Sequence, residues 1–248
     1  MRKLLPATIE ELEPDLVIAN AENLTHGDGF APNHIAEMQE AGADFFTSGN
    51  HIWGNQKGVI ALDDPSFPVL RPANFPNNDA VPGDGYRVVE ARDGGKVLVI
   101  NLMGQTFMSM NMASPFHRAD EILAEFEGED LAAIFVDFHA EASSEKYALT
   151  HYLDGRVSAV VGTHTHVQTN DAHVMKGGTA HMTDAGLTGP FESIIGLKAK
   201  PLLNRFLNQT PVRHEPEDQG KMVLQGMLVE IDNGSKKALN VSHVQKFL

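Results

Sequence analysis

Short runs of apolar residues alternate along the chain with segments in which apolar residues recur at helical spacing. The segment "APNHIAEMQEAGA" predicts a helix with Ile35, Met38 and Ala41 on one face. Other segments of helical spacing predict helices at Ala119–Phe126, Ser143–Leu153 and Ala199–Leu207. Apolar runs predict strands at Asp15–Asn20, Asp44–Gly49, Ala132–Ala140, Val157–His166 and Thr179–Gly186. This alternation favours an α/β fold.

Two longer stretches predict β-hairpins. Tyr86–Gly104 contains two β-rich runs around a turn, and Lys221–Phe247 contains two more around the dipeptide Asn233–Gly234. Ser143 or Ser144 is the predicted N-cap of the helix at Ser143–Leu153. There is no internal repeat or low-complexity tract in the sequence. We therefore expect residues 1–248 to form one mixed α/β domain, with more hairpin than a purely doubly wound fold.

Composition excludes several classes of protein. The formal net charge of −14 disfavours binding of nucleic-acid polymers, although a cation in the site can still attract a small anionic substrate. No apolar run approaches the ~20 residues that cross a bilayer, and Pro6 with the following acids interrupts any secretory signal. The absence of cysteine leaves His, Asp, Glu and Asn as metal ligands. A cytoplasmic location is expected.

Residues able to bind a metal recur just past the carboxyl ends of the predicted strands. They are Glu22 and Asn23, Asn50 and His51, His139 and Glu141, and His164 and His166. Ligands of open α/β sheets bind outside the carboxyl ends of the strands, so these side chains are expected to share one rim. Each residue alone fits a capping or turn role, but the recurrence favours a metal site.

The segment "VVGTHTHVQT" runs from a predicted strand directly into two histidines. In an extended segment, residues two apart point to the same side, so His164 and His166 are expected to reach one site, one ion each. Two hydrogen-bonded histidines at a strand end are the alternative.

The ligand types restrict the metal. Imidazole, carboxylate and carboxamide without thiolate suit Mn, Fe or Zn. The chain offers more than four such ligands at the rim, too many for one tetrahedral zinc. This favours two ions ~3.5–4 Å apart with a shared carboxylate, an arrangement that makes hydroxide near neutral pH and holds a phosphoryl oxygen.

Six motifs together resemble the calcineurin-like metallophosphoesterases, and among them the YmdB-like bacterial phosphodiesterases. The motifs are "AEN" at Ala21–Asn23, "GNHIW" at Gly49–Trp53, "LRPANFP" at Leu70–Pro76, "FHAEASSEK" at Phe138–Lys146, "GTHTHVQT" at Gly162–Thr169 and "TDAGLTGP" at Thr183–Pro190. The resemblance implies a β-sandwich of mixed sheets flanked by helices. It also implies a metal-dependent phosphodiesterase that acts on small phosphodiesters such as 2′,3′-cyclic nucleotides.

Roles for individual residues follow from the resemblance. Glu22 is the implied bridging carboxylate. Asn50, His139 and His164 would complete the shell of one ion, and His166 would bind the other. His51 would donate a proton to the leaving oxygen or orient the phosphate, and Asn23 would contact the phosphate. Glu141 is a candidate partner for a liganding imidazole.

The family pattern normally begins with an apolar strand that ends in Gly-Asp, whose aspartate binds the first ion. Here Met1 falls inside the helix that follows that strand, so the strand and its aspartate are expected to be missing. A misassigned start codon, a real truncation, or a gap filled by another segment or subunit would each explain this. With only Glu22 and His166 left for it, the second ion is expected to bind weakly and turnover to be slow or absent.

Two other functions stay open. A non-catalytic homologue would bind metal or nucleotide in a regulatory role, and a phosphomonoesterase of the nucleotidase kind would share the same metal core. Arg71, Lys146 and Arg156 are possible phosphate contacts, with a solvated or helix-facing role as the alternative. His117 and His181 are the strongest of the remaining histidines, and Asp184 matches no ligand position. A homo-oligomer is possible for such a domain.

Overall fold

Helices and strands alternate along most of the chain in the computed structural model, which describes residues 1–76, 78 and 80–248. The helices are α1 (Leu4–Leu12), α2 (Pro32–Glu40), α3 (Gln56–Ala61), α4 (Pro115–Glu125), α5 (Ser143–Leu153) and α6 (Ala199–Asn208). The strands are β1 (Ile18–Asn20), β2 (Phe45–Thr47), β3 (Tyr86–Glu90), β4 (Lys96–Met103), β5 (Ala133–His139), β6 (Ala159–Thr163), β7 (His173–Val174), β8 (Ala180–Met182), β9 (Thr188–Pro190), β10 (Met222–Asp232) and β11 (Lys237–Phe247). None of the described helices is long and apolar enough to cross a membrane.

The largest sheet has six strands in the order β3-β4-β5-β6-β8-β7. Its inner pairs, β4 with β5, β5 with β6 and β6 with β8, are parallel, and its outer pairs are antiparallel. Seven of the eight residues of β4 and all five of β6 are buried. Such continuous apolar runs are typical of parallel strands covered on both faces.

Two smaller sheets complete the architecture. β1 and β2 form a parallel pair, and β9, β10 and β11 form an antiparallel sheet. The β10–β11 hairpin contains a bulge between Glu230 and Ile231, and its turn includes the predicted Asn233–Gly234. The predicted mixed α/β class, with mixed sheets flanked by helices, is therefore confirmed.

The helices α4 and α5 cover one face of the six-stranded sheet. Ile122 of α4 and Leu149 of α5 lie in one buried cluster with Leu98 and Phe138 of the sheet. Ile35 and Met38 of α2 are buried in a second cluster, as the helical spacing predicted. Burying an aliphatic side chain of this size contributes about 1.5–3 kcal/mol, so these two clusters hold the helices on the sheets.

Two local predictions are wrong. The strand predicted to reach His166 ends at Thr163, because His164 adopts a backbone φ of 101° that a strand cannot continue. Ala142, rather than Ser143 or Ser144, is the N-cap of α5, and no described side chain caps this helix. Ser143 is instead the first residue of the helix itself.

A cavity of about 1500 Å³ runs from the predicted ligands into the space between two sheets. Ile18 and Ala19 of β1 line it, together with Met227 and Val229 of β10. Among the described strands, β1 pairs with β2 alone, and β10 pairs with β11 alone after Leu224. Strand edges of both sheets therefore border one cavity, while the absence of a first strand stays a prediction.

Candidate metal centre

Four strand ends bring electron-pair donors to one point. The Nε2 atom of His139, the last residue of β5, lies 2.6 Å from Glu22 Oε2 and 3.0 Å from Asn50 Oδ1. It also lies 3.0 Å from His164 Nδ1. Glu22 follows β1, Asn50 follows β2 and His164 follows β6, so the convergence predicted for the carboxyl ends of the strands is present in the structure.

A buried relay sets the proton positions on His139. Thr163 Oγ1 donates to Asp137 Oδ1 at 2.7 Å, and His139 Nδ1 lies 3.0 Å from the same Thr163 oxygen. Because the hydroxyl proton is used on Asp137, the Thr163 oxygen accepts from Nδ1–H of His139. Nε2 of His139 then faces Glu22 and Asn50. A proton on Nε2 pairs with the Glu22 carboxylate 2.6 Å away, and a cation in place of that proton would take the Nε2 lone pair.

His164 is oriented in the same way by a carboxylate. Its Nε2 lies 3.1 Å from Glu141 Oε2, which leaves Nδ1 to face His139. Burial and the neighbouring His139 lower the pKa of His164 below its ordinary value. A neutral imidazole with a free lone pair is the form that binds a metal, and a carboxylate on its other nitrogen is a common outer partner.

Glu22 stays ionised in spite of its burial. Its side chain is 2% exposed, and burial raises its pKa, but His139 and the backbone N–H of His51 shift the pKa below the ordinary value overall. The His51 N–H donates to Glu22 Oε1 at 3.1 Å, which leaves Oε2 facing His139.

The donor set fits a bound cation. With the tautomers above, a carboxylate oxygen, an amide oxygen and two imidazole nitrogens converge on one point. Only a positive charge satisfies such a group of acceptors, and imidazole with oxygen ligands suits Mn, Fe or Zn. Gly49 makes room for it, because a Cβ there would lie 2.2 Å from His139 Nε2.

The structure places His166 and Asn23 beside this cluster rather than in it. Asn23 Nδ2 lies 3.1 Å from His166 Nε2, and His166 Nδ1 lies 3.0 Å from the carbonyl oxygen of Ile195. The Ile195 carbonyl can only accept, so it holds the proton on Nδ1 and leaves Nε2 as an acceptor. Both side chains line the same cavity as Glu22 and His164.

The predicted geometry of the two histidines of "THTH" is wrong. His164 and His166 have φ values of 101° and 61°, so the segment is not extended and the i, i+2 rule does not apply. His164 instead contacts His139 and Glu141, whereas His166 contacts Asn23 and Ile195. The turn at His164 and His166 therefore sends the two side chains to different partners, which strand alternation would not have done.

His51 has a partner that the sequence did not reveal. Its Nδ1 lies 3.0 Å from Asp28 Oδ1, and both side chains are about half exposed. Asp28 lies in the loop after β1, and nothing in its sequence context distinguishes it from an ordinary turn residue. The pair directs the other nitrogen of His51 away from Asp28 and leaves it available to a ligand.

The remaining candidates lie outside this cluster. His117 is exposed, and His181 is buried against Thr150 and Thr183. Arg156 pairs with Asp120 on the surface, and Arg71 is buried with a hydrogen bond to the Pro72 carbonyl. Lys146 is neither solvated nor a phosphate contact, because it is buried in an ion pair with Asp184.

Comparison with known proteins relates this geometry to a family. A family model described as YmdB-like protein matches residues 1–244. A 2′,3′-cyclic-nucleotide 2′-phosphodiesterase of Bacillus subtilis is 41% identical over 245 residues, which is 98% of this chain and 90% of that protein.

Two crystal structures have the same fold. That of a hypothetical protein from Thermus thermophilus has a TM-score of 0.89 at 37% identity and covers 99% of this chain and 92% of the other. That of a phosphatase from Mycoplasma pneumoniae has a TM-score of 0.89 at 30% identity and covers 99% and 88%. The named relatives are thus a phosphodiesterase and a phosphatase.

Proposed function

Because the chain belongs to the YmdB-like protein family, we propose that it is a metal-dependent phosphodiesterase that hydrolyses small phosphodiesters such as 2′,3′-cyclic nucleotides. The observation that carries the proposal is the meeting of Glu22, Asn50 and His164 around His139 Nε2. The B. subtilis relative named for this activity supports the substrate class.

The proposed ligands divide between two ions. Glu22, Asn50, His139 and His164 would hold the first, and Glu22 with His166 would hold the second more weakly. Mn or Fe suits this donor set, with Zn as a further candidate. When bound, such ions activate water and neutralise charge on a phosphoryl oxygen.

The side chains around the metals supply the remaining chemistry. Hydrolysis forms a bond between phosphorus and the oxygen of a water molecule and breaks one P–O ester bond of the cyclic phosphate, so the leaving ribose oxygen needs a proton. His51 donates that proton, and the Asp28 carboxylate 3.0 Å from its Nδ1 orients the ring. The Asn23 amide nitrogen lies 3.1 Å from His166 Nε2, and it would be free to bind a phosphate oxygen if a metal took that imidazole nitrogen.

The charge of the molecule agrees with a small substrate. A net charge of −14 repels polyanions, whereas the bound cations neutralise one phosphodiester. We accordingly propose a small-molecule partner in the cytoplasm, with no nucleic-acid polymer and no membrane. A homo-oligomer stays a prediction.

Hydrolysis of 2′,3′-cyclic AMP with added Mn²⁺ tests the proposal. Slow activity is expected in the unmodified protein, because only Glu22 and His166 are left for the second ion. This activity should be lost in His139→Ala and kept in His117→Ala, which removes an exposed histidine outside the cluster. Equal activity in the two variants would refute the assignment.

A phosphomonoesterase is the second candidate, because the M. pneumoniae structure is named a phosphatase. The same assay with 3′-AMP and 5′-AMP separates the two functions. A higher kcat/KM for a monoester than for the cyclic diester would reassign the function, and Mn²⁺ binding without turnover of any of the three would indicate a non-catalytic homologue.

A further inference from the structure

A buried ion pair lies directly behind the two histidines. Lys146 Nζ of α5 is 2.9 Å from Asp184 Oδ2, and the two side chains are 1% and 0% exposed. Removing two charges from water costs several kcal/mol each, so a buried pair is often no more stable than an apolar replacement. Stability alone is therefore a weak explanation for Lys146 and Asp184.

The carboxylate of Asp184 also holds the residue between His164 and His166. Its Oδ2 accepts the Thr165 N–H at 3.0 Å and the Thr165 hydroxyl at 2.7 Å. Its Oδ1 accepts the N–H of Gly186 at 2.9 Å. One carboxylate thus receives the Lys146 ammonium and both donors of Thr165.

The segment that Asp184 holds has an unfavourable backbone. His164 and His166 have φ values of 101° and 61°, a region that costs a non-glycine residue about 1–3 kcal/mol. Such a conformation persists only where the surroundings fix it. Thr165 lies between His164 and His166, so its two hydrogen bonds to Asp184 hold the backbone of the turn at its centre.

The end of the same segment is tied to the same residue. The N–H of Asp184 donates to Thr169 Oγ1 at 3.0 Å, and the N–H of Thr169 donates to the Asp184 carbonyl at 3.1 Å. We call residues 163–169 the histidine loop. Both its middle and its end are therefore held by Asp184.

Gly162 lets Lys146 reach this position. A Cβ at Gly162 would lie 2.9 Å from Lys146 Cδ and far inside contact distance of the Thr183 carbonyl oxygen. The glycine just before the histidine loop thus makes room for the side chain that neutralises Asp184.

We propose that Asp184 is a positioning residue that holds the histidine loop in its metal-binding shape, and that Lys146 compensates its charge. Among the described residues, neither side chain has a hydrogen bond to a proposed ligand. Asp184 acts through Thr165, and Lys146 acts through Asp184. The inference rests on the proposed function where it is tested by Mn²⁺ affinity. A second test, the exchange of the Thr165 amide in the metal-free protein, depends on the loop conformation alone.

Two double variants separate positioning from stability. Lys146→Met with Asp184→Leu and Lys146→Met with Asp184→Asn both remove the ion pair with side chains of similar volume. Only the asparagine keeps an oxygen that can accept from Thr165. The leucine variant is expected to bind Mn²⁺ at least about tenfold more weakly than the asparagine variant in calorimetry without substrate.

Hydrogen–deuterium exchange gives the second readout in the metal-free proteins. The Thr165 amide is expected to exchange faster in the leucine variant than in the asparagine variant, because its acceptor is lost. Equal exchange and equal Mn²⁺ affinity in the two would overturn the proposal.

The two proposals fail in different ways. If the unmodified protein binds Mn²⁺ but hydrolyses nothing, the proposed function fails and the Mn²⁺ comparison still decides the role of Asp184. If it binds no Mn²⁺, exchange at Thr165 decides. If the leucine variant does not fold, Thr165→Val, which removes the hydroxyl donor alone, must weaken Mn²⁺ binding and speed exchange in the histidine loop, or the proposal is wrong.

Discussion

The Thr163 hydroxyl lies between a buried carboxylate and a proposed metal ligand, 2.7 Å from Asp137 Oδ1 and 3.0 Å from His139 Nδ1. Thr163→Val keeps the volume and removes the relay. We expect about tenfold weaker Mn²⁺ binding, because His139 loses the contact that fixes its tautomer. Titration calorimetry measures the change.

A matched control for this substitution is Thr150→Val. Thr150 is also buried, and its hydroxyl also contacts an imidazole, that of His181 at 2.8 Å. A loss of stability of about 1–3 kcal/mol is expected in both variants from the buried polar groups left without a partner. Only Thr163→Val is expected to weaken Mn²⁺ binding, and an equal effect of both would contradict the relay.

Gly49→Ala is expected to abolish Mn²⁺ binding. The added methyl group would lie 2.2 Å from His139 Nε2 and would force the ring out of its proposed ligand position. Gly226→Ala in β10 is the control, because no atom of the described residues lies within 4 Å of a Cβ there. Calorimetric titration of both variants with Mn²⁺ tests this, and full affinity in Gly49→Ala would remove this cluster as the metal site.

Asp28→Asn is expected to lower kcat about 10- to 100-fold on 2′,3′-cyclic AMP with unchanged Mn²⁺ affinity. The neutral amide no longer offers a carboxylate to orient the His51 ring 3.0 Å away, while the proposed ligands are untouched. Glu37→Gln, which removes the exposed partner of Arg2, serves as the control and should leave both quantities unchanged. A change in Mn²⁺ affinity alone would place Asp28 in the metal centre instead.

The two metal positions are expected to differ in affinity. In the proposed division, Glu22, Asn50, His139 and His164 would offer four ligands to one ion, whereas Glu22 and His166 would serve the other. Metal analysis after gel filtration should therefore find close to one Mn²⁺ per chain, with a second bound only at higher concentration. Two tightly held ions per chain would contradict this division.

Acid is expected to destabilise the protein through His181, which is not one of the proposed ligands. Burial lowers the pKa of His181 to about 4, well below the value of the unfolded chain. Between pH 6.5 and 4 the unfolded state therefore binds the extra proton, and the free energy of unfolding falls as the pH falls through this window.

Urea unfolding at pH 7 and pH 5 measures this dependence. The variant His181→Asn has no titrating ring and is expected to show a smaller drop between the two values. Asp171, which faces His181 at 3.6 Å, has a strongly lowered pKa, so its own contribution is lost only at more acidic pH. An unchanged drop in His181→Asn would assign the acid sensitivity to other groups.

Much of the candidate site could be predicted because it depends on strand direction. Glu22, Asn50 and His139 follow or end apolar strands, and parallel strands bring their carboxyl ends to one edge. Periodicity also placed α2 and the β10–β11 hairpin, where burial and turn chemistry are local.

The parts that could not be predicted depend on contacts between distant residues or on unusual turns. Asp28 reaches His51 through the path of a loop, and Asp184 accepts directly from Thr165 while it also pairs with the buried Lys146. His164 has a positive φ, which residues other than glycine rarely adopt, so no local sequence pattern predicts its conformation.

The proposed ligands come from two different sheets. Glu22 and Asn50 follow the strands of the two-stranded sheet, whereas His139 and His164 end or follow strands of the six-stranded sheet. An ion bound by all four would consequently also link the two sheets. At a free concentration 100 times its Kd, such an ion would add about 2.7 kcal/mol to the free energy of unfolding. Metal supply would then govern how long the folded protein survives in the cell as well as how fast it works.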